Sequence, residues 1–119
     1  MMDVGTTLFI CVTCRAGGAR FLESVRARAG DFAVLPVECL SNCDRSCSAA
    51  IAAPGKWTYV VGDLDPDLHA DDILQFARAH QAHADGLPPW RERPQHVRKH
   101  TIARVPPTRR TPEEAKQDE

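Results

Sequence analysis

An α/β fold built on a four-stranded mixed sheet is predicted for this chain by three observations. Before residue 40 two short β-rich runs bracket one amphipathic stretch, the pattern of two strands joined by a helix. Two further apolar runs flank a Pro-Gly turn, which marks a hairpin. A second helical stretch with an acidic start closes the periodic part of the chain, so the order reads β-α-β-β-β-α.

The first strand is Thr6-Thr7-Leu8-Phe9-Ile10, a run buried on both faces that leads directly into Cys11. Gly17-Gly18 loosens the backbone, and Phe21, Leu22, Val25 and Ala29 then recur at helical spacing. Helix one therefore spans about 18–29, with Gly30 as its C-terminal cap. The second strand, FAVLPVE at 32–38, contains Pro36, which donates no ladder hydrogen bond and so places the strand at a sheet edge. Ala49–Ala53 and Trp57–Val61 form the hairpin around Pro54-Gly55-Lys56. Asp65 as N-cap and Pro66 at the first helical position open helix two. Asp71 and Asp72 complement its dipole, and Ile73, Leu74, Phe76 and Ala77 form its buried stripe, up to about His83. A right-handed crossover makes strands one and two parallel, while strands three and four are antiparallel. That arrangement is the core of a thioredoxin-like fold.

Residues 1–86 are read as this domain. From Leu87 to Glu119 prolines and charges replace periodic apolar residues, which predicts an extended C-terminal arm that is disordered after about Pro107. The net charge of −1 conceals a division: residues 1–90 carry 7 Lys and Arg against 11 Asp and Glu, residues 91–110 carry 7 against 1, and residues 111–119 carry 1 against 4. The plain reading of the basic arm is a solvated tail; the functional one is docking to an acidic partner or nucleic acid. No basic n-region, long apolar run or membrane span occurs, so a cytoplasmic protein without membrane contact is expected. No Ser-His-Asp arrangement, phosphate-cradling glycine loop or nucleotide fingerprint is present.

All five cysteines fall within residues 11–47, as Cys11-Val-Thr-Cys14 after the first strand and CLSNCDRSC, with Cys39, Cys43 and Cys47, after the second. An odd cysteine number in a reducing compartment fits metal or redox chemistry better than a disulfide framework. Parallel strands end at the same edge of the sheet, where α/β folds also bind ligands, so the two groups are expected to meet there. Four thiolates suit a tetrahedral zinc or a 2Fe–2S cluster with two ligands per iron. A third reading is thiol redox at Cys11 and Cys14, at the strand-to-helix turn.

The stretches CLSNCDRSC and APGKWTYVVGDL, with CVTCR, DGLPPW, RERP and ARVPP, resemble a bacterial family of predicted metal-binding proteins labelled as a domain of unknown function, over about residues 8–107. More distantly the layout is similar to thioredoxin-like 2Fe–2S ferredoxins. By position Cys11 matches their first ligand, and Cys39 and Cys43 match their C-x3-C pair. Their second ligand lies further on than Cys14 does here, and Cys47 stands where they tend to have a proline. The resemblance implies an electron carrier holding a 2Fe–2S cluster on Cys11, Cys39 and Cys43, in cobalamin or metal metabolism; CVTC offers Cys14 as the fourth ligand, with Cys47 spare or substitute. It also implies a redox partner protein and a homodimer, with no nucleic-acid partner expected. The alternative is a zinc- or cobalt-binding metallochaperone or structural metal protein. Arg15 and Arg45, pointing inward, would raise the potential of a bound cluster.

The remaining candidates have plainer readings. His80 with His83, and His96 with His100, lie one helical turn apart and are read as solvated faces for want of a third ligand. Trp57 and Tyr59 are read as core or dimer contacts, and helix capping accounts for Asp65 in the Asp63, Asp65, Asp67 series.

Overall fold

A computed structural model of the chain describes residues 5–12, 17–38 and 47–107. Strand β1 (Thr7–Cys11) is followed by helix α1 (Gly18–Ala29) and strand β2 (Ala33–Val37). Strands β3 (Cys47–Ala52) and β4 (Thr58–Leu64) come next, then helix α2 (Ala70–Ala82). A 3-10 turn at Trp90–Glu92, helix α3 (Gln95–His100) and strand β5 (Thr101–Val105) complete the described chain. The sheet order is β2-β1-β3-β4-β5. β1 and β2 are parallel, with Leu8 opposite Val34 and Cys11 opposite Val37, and the other pairings are antiparallel. This is the predicted thioredoxin-like α/β architecture, with β2 and its Pro36 at an edge.

The sheet carries five strands rather than four. Thr101–Val105, inside the stretch read as an extended arm, forms β5 and pairs with β4, Val60 lying opposite Ala103. The reason is local: Val97, the apolar residue of a short helix otherwise rich in polar groups, is fully buried and brings the chain alongside β4. Prolines at 88, 89 and 94 hide this element from a periodicity argument, since they interrupt the chain without preventing it from packing.

Alternation along β1 divides the sheet into two faces. Leu8 and Ile10 are wholly buried and lie opposite Ile51 and Ala49 of β3, which in turn face Tyr59 and Val61 of β4. Against this row pack Phe21 and Val25 of α1 and Ile73, Phe76 and Ala77 of α2. Burial of each large side chain contributes about 1.5–3 kcal/mol before the entropy of ordering is subtracted. The guanidinium of Arg26 donates to the Val34 carbonyl at 3.0 Å and so fastens the end of α1 to the edge strand. Among the described residues no helix is long and apolar enough to cross a membrane.

α2 starts four residues later than its capping signals suggest. Asp65–His69 folds as a separate turn, in which the Asp65 carbonyl accepts from the amides of Leu68 and His69, and the Asp65 carboxylate accepts from the Asp67 amide at 2.7 Å. The aspartate therefore caps this turn, and His69 occupies the N-cap of α2.

His80 departs from the solvated reading altogether. It is 0% exposed. Its Nε2–H donates to the Trp57 carbonyl at 2.6 Å and the Thr6 hydroxyl donates to Nδ1 at 2.7 Å, which fixes a neutral tautomer. Gly86 (φ 73°) makes room for this strut: a Cβ there would lie 2.8 Å from His80 Nε2. Tyr59 is equally buried, with Phe76 edge-on at 4.9 Å, yet its hydroxyl has no hydrogen-bond partner among the described residues.

Two outcomes are expected. Tyr59→Phe removes a buried, unsatisfied polar atom and should raise unfolding free energy by about 1 kcal/mol in urea titrations; a loss of similar size would mean that the hydroxyl has a partner. Burial, and secondarily Lys56, hold the His80 pKa below 6.5, although the Trp57 carbonyl opposes them. The unfolded chain then takes up a proton that the folded chain refuses, so stability should be constant above pH 6.5 and fall as pH drops below it. The fall should be shallower in His80→Gln, a variant less stable at neutral pH. A pH slope identical in variant and parent would exclude His80 as the source.

Candidate metal centre

Two of the five cysteines lie among the described residues, and the sheet brings them to one edge. Cys11 is the last residue of β1 and Cys47 the first of β3. Because β1 and β3 run antiparallel, with Ile10 opposite Ala49, the end of one strand adjoins the beginning of the other. The ladder between β1 and β2 continues to this end, where the Val12 amide donates to the Val37 carbonyl at 3.0 Å. Cys11 is 2% exposed and Cys47 is 0% exposed; both belong to the main core. The Cys11 thiol lies 3.8 Å from the carbonyl oxygen of Glu38. Cys14, Arg15, Cys39, Cys43 and Arg45 lie outside the described residues. The described chain leaves this edge at Val12 and Glu38 and re-enters it at Cys47.

The donor chemistry fits a thiophilic centre. Five cysteines in two short segments supply more thiolates than a four-coordinate zinc or a 2Fe–2S cluster requires. Among the described residues alone, no three His, Cys, Asp or Glu side chains converge as a metal site. A concavity of about 530 Å³ lies at the opposite end of the sheet beside Gly5–Thr7 and Asp31–Ala33, away from both cysteines.

A second polar group stands at the cysteine end. Cys47 pairs with Leu64, and its neighbour Asp63 (φ 54°) holds His100 through Nδ1 at 2.9 Å. The imidazole of His100 stacks on that of His96 at 4.3 Å between centroids, and His96 stacks on His69 at 3.8 Å. His96 Nε2–H donates to the Gly62 carbonyl, and the Asp65 amide donates to His69 Nδ1. These bonds use one nitrogen of each ring and point the rings along a column, which packs α3 onto the turn before α2. Burial, with the neighbouring His69 and His100, lowers the His96 pKa, while the Gly62 carbonyl and Asp63 pull it up. The i,i+4 spacing of His96 and His100 was the legible part of this group. His69, on a separate element, was not. His83 is apart from the column and pairs with Glu92 at 2.8 Å.

Three solved structures share this fold. The structure of a thioredoxin-like 2Fe–2S ferredoxin from Aquifex aeolicus aligns with a TM-score of 0.57 at 15% identity, covering 90% of this chain and 99% of its own. The wild-type thioredoxin-like 2Fe–2S ferredoxin from Aquifex aeolicus aligns at 0.56 and 14% identity, with 85% and 99% covered. A cysteine-to-serine variant of that ferredoxin aligns at 0.55 and 14% identity, with 82% and 98% covered. No curated protein matches the chain at a significant level. The family described as "Protein of unknown function (DUF1636)" matches residues 8–107, and the chain belongs to that family.

Proposed function

We propose that the chain binds a 2Fe–2S cluster at the cysteine edge and carries electrons one at a time. The observation behind this reading is the meeting of Cys11 and Cys47 at the edge where the chain departs into, and returns from, the segments that carry the other three thiols. The likeness to ferredoxins supports it at the level of fold. Cys11, Cys14, Cys39 and Cys43 are the proposed ligands, two from each segment, and Cys47 is the spare. A cluster so held supplies a one-electron couple. The chain's part is to present thiolates, exclude water with the core around Cys11, and offset negative charge with Arg15 and Arg45. Service in cobalamin or metal metabolism is the pathway that the sequence resemblance favours.

Burial separates this reading from a dithiol oxidoreductase. A thiol used for exchange must be within reach of its substrate, whereas Cys11 lies within the main core, where a thiolate without a counter-charge would be costly. Metal coordination resolves that conflict, since it neutralises the thiolate where it is buried.

Anaerobic purification followed by visible absorption and iron, sulfide and zinc analysis tests the proposal. A coloured protein with about two iron and two sulfide per chain is expected. A colourless protein with about one zinc would support the metallochaperone or structural alternative instead. Serine at position 11, 14, 39 or 43 should each abolish the absorption, and Cys47→Ser should keep it. Loss of colour on Cys47→Ser with retention on Cys14→Ser would overturn the ligand set and leave cluster binding standing.

A further inference from the structure

We propose that the outer edge of β5, with the arginine–aromatic ladder beside it, is the docking site for an extended acidic segment of a partner protein. β5 ends the sheet, so among the described residues its backbone is paired with β4 alone, and Ala103, Arg104 and Val105 are exposed. Such an edge is a template for one more strand. Next to it Arg93 lies over the Tyr59 ring at 5.7 Å and the Trp90 ring at 5.8 Å, Arg98 lies over Trp90 at 5.4 Å, and Arg104 lies over Trp57 at 5.3 Å. Tyr59, Trp90, Arg93, Arg98 and Arg104 line an open concavity of about 320 Å³ with the residues of β5. Trp90, 60% exposed, is the largest exposed apolar side chain there.

The chemistry of the ladder selects the occupant. The Nε atoms of Arg93 and Arg98 are spent on the carbonyls of Pro88 and Trp90, both at 2.9 Å. Their terminal nitrogens remain, in the planar fork that matches a carboxylate. No carboxylate of the described residues pairs with Arg93, Arg98 or Arg104, and the nearby Glu92 is held by His83. Acidic side chains at alternate positions of an added strand would therefore find guanidinium groups that no carboxylate of the described residues occupies. Nucleic acid fits less well: guanidinium groups already lie over the faces of Trp57, Tyr59 and Trp90, which leaves little platform for stacked bases. The acidic balance of residues 1–90 would also repel a polyanion that extended past the strip. A second copy paired edge to edge through β5 would set this arginine-rich face against itself, which is unfavourable.

Fluorescence anisotropy with the full chain tests this, using a short labelled peptide of alternating glutamate and valine, its glutamine counterpart, and labelled oligothymidylate. The acidic peptide should bind in the micromolar range, weaken as salt rises, and lose roughly tenfold in affinity to R98Q/R104Q, with the melting temperature of that variant showing that it is folded. Binding should also slow hydrogen exchange of the β5 amides. Equal binding of the glutamine peptide, no effect of R98Q/R104Q, or unchanged β5 exchange would each overturn the proposal. Tighter binding of oligothymidylate than of the acidic peptide would transfer the site to nucleic acid. Self-association through β5 in sedimentation, insensitive to the peptide, would assign it to a second copy. At least tenfold tighter peptide binding by E113Q/E114Q/D118N/E119Q would assign it to the chain's own acidic terminus. The readouts need no cluster, so their failure leaves the electron-carrier reading untouched.

Discussion

The parallel pairing of β1 with β2 is the constraint on which the candidate site rests. Antiparallel neighbours would end at opposite edges and separate Cys11 from the residues that follow Val37. Parallel pairing through α1 ends both strands at one edge, and the antiparallel return of β3 begins there with Cys47. Register matters as much as direction. A slip of one residue in β1 would turn Leu8 and Ile10 away from α1 and α2 and present Thr7 and Phe9 in their place. The apolar core thus fixes the position of Cys11, because the residues that carry packing energy and the proposed ligand share one short strand.

The burial of Cys11 and Cys47 admits two physical accounts, and they do not conflict. Uncharged, each thiol is a small hydrophobic side chain within the main core, Cys47 lying opposite Leu64. Ionised without a counter-charge, it would be costly in the same place. A core that tolerates a thiol but penalises a bare thiolate would hold its packing without a metal, and would favour coordination of the proposed cluster. Small domains without a stabilising ligand depend on such cores.

Local signals made much of this fold legible. The stripe of Phe21, Val25 and Ala29 between Gly17 and Gly30 fixed both ends of α1, and Pro36 placed β2 at the edge. What escaped was set by distant contacts. His80 sits at a polar spacing on α2, and only the approach of Thr6 and Trp57, each more than twenty residues away, makes it a core strut. β5 escaped because its partner strand supplies the pairing that its own composition does not announce. At the candidate site the cysteine spacing and the shared edge were readable. The histidine column required His69 and His96, on different elements, to meet face to face.

The charge asymmetry of the chain takes on a structural meaning through β5. Arg93, Arg98 and Arg104 belong to a segment that sequence sets apart from the acidic body, yet β5 hydrogen-bonds that segment to β4, whose Leu64 pairs with Cys47. At about 4.8 Å per strand, a segment added beyond β5 would lie roughly 15 Å across the sheet from β3. A cationic edge and the cysteine end of β3 are therefore joined through two paired strands, each pairing carrying one register shift, rather than by a linker. Their spacing is set by sheet geometry alone, so a partner held on the edge would have a fixed relation to the cysteines. For the proposed electron carrier, such a fixed relation would stand in for the large interface that a transient contact lacks.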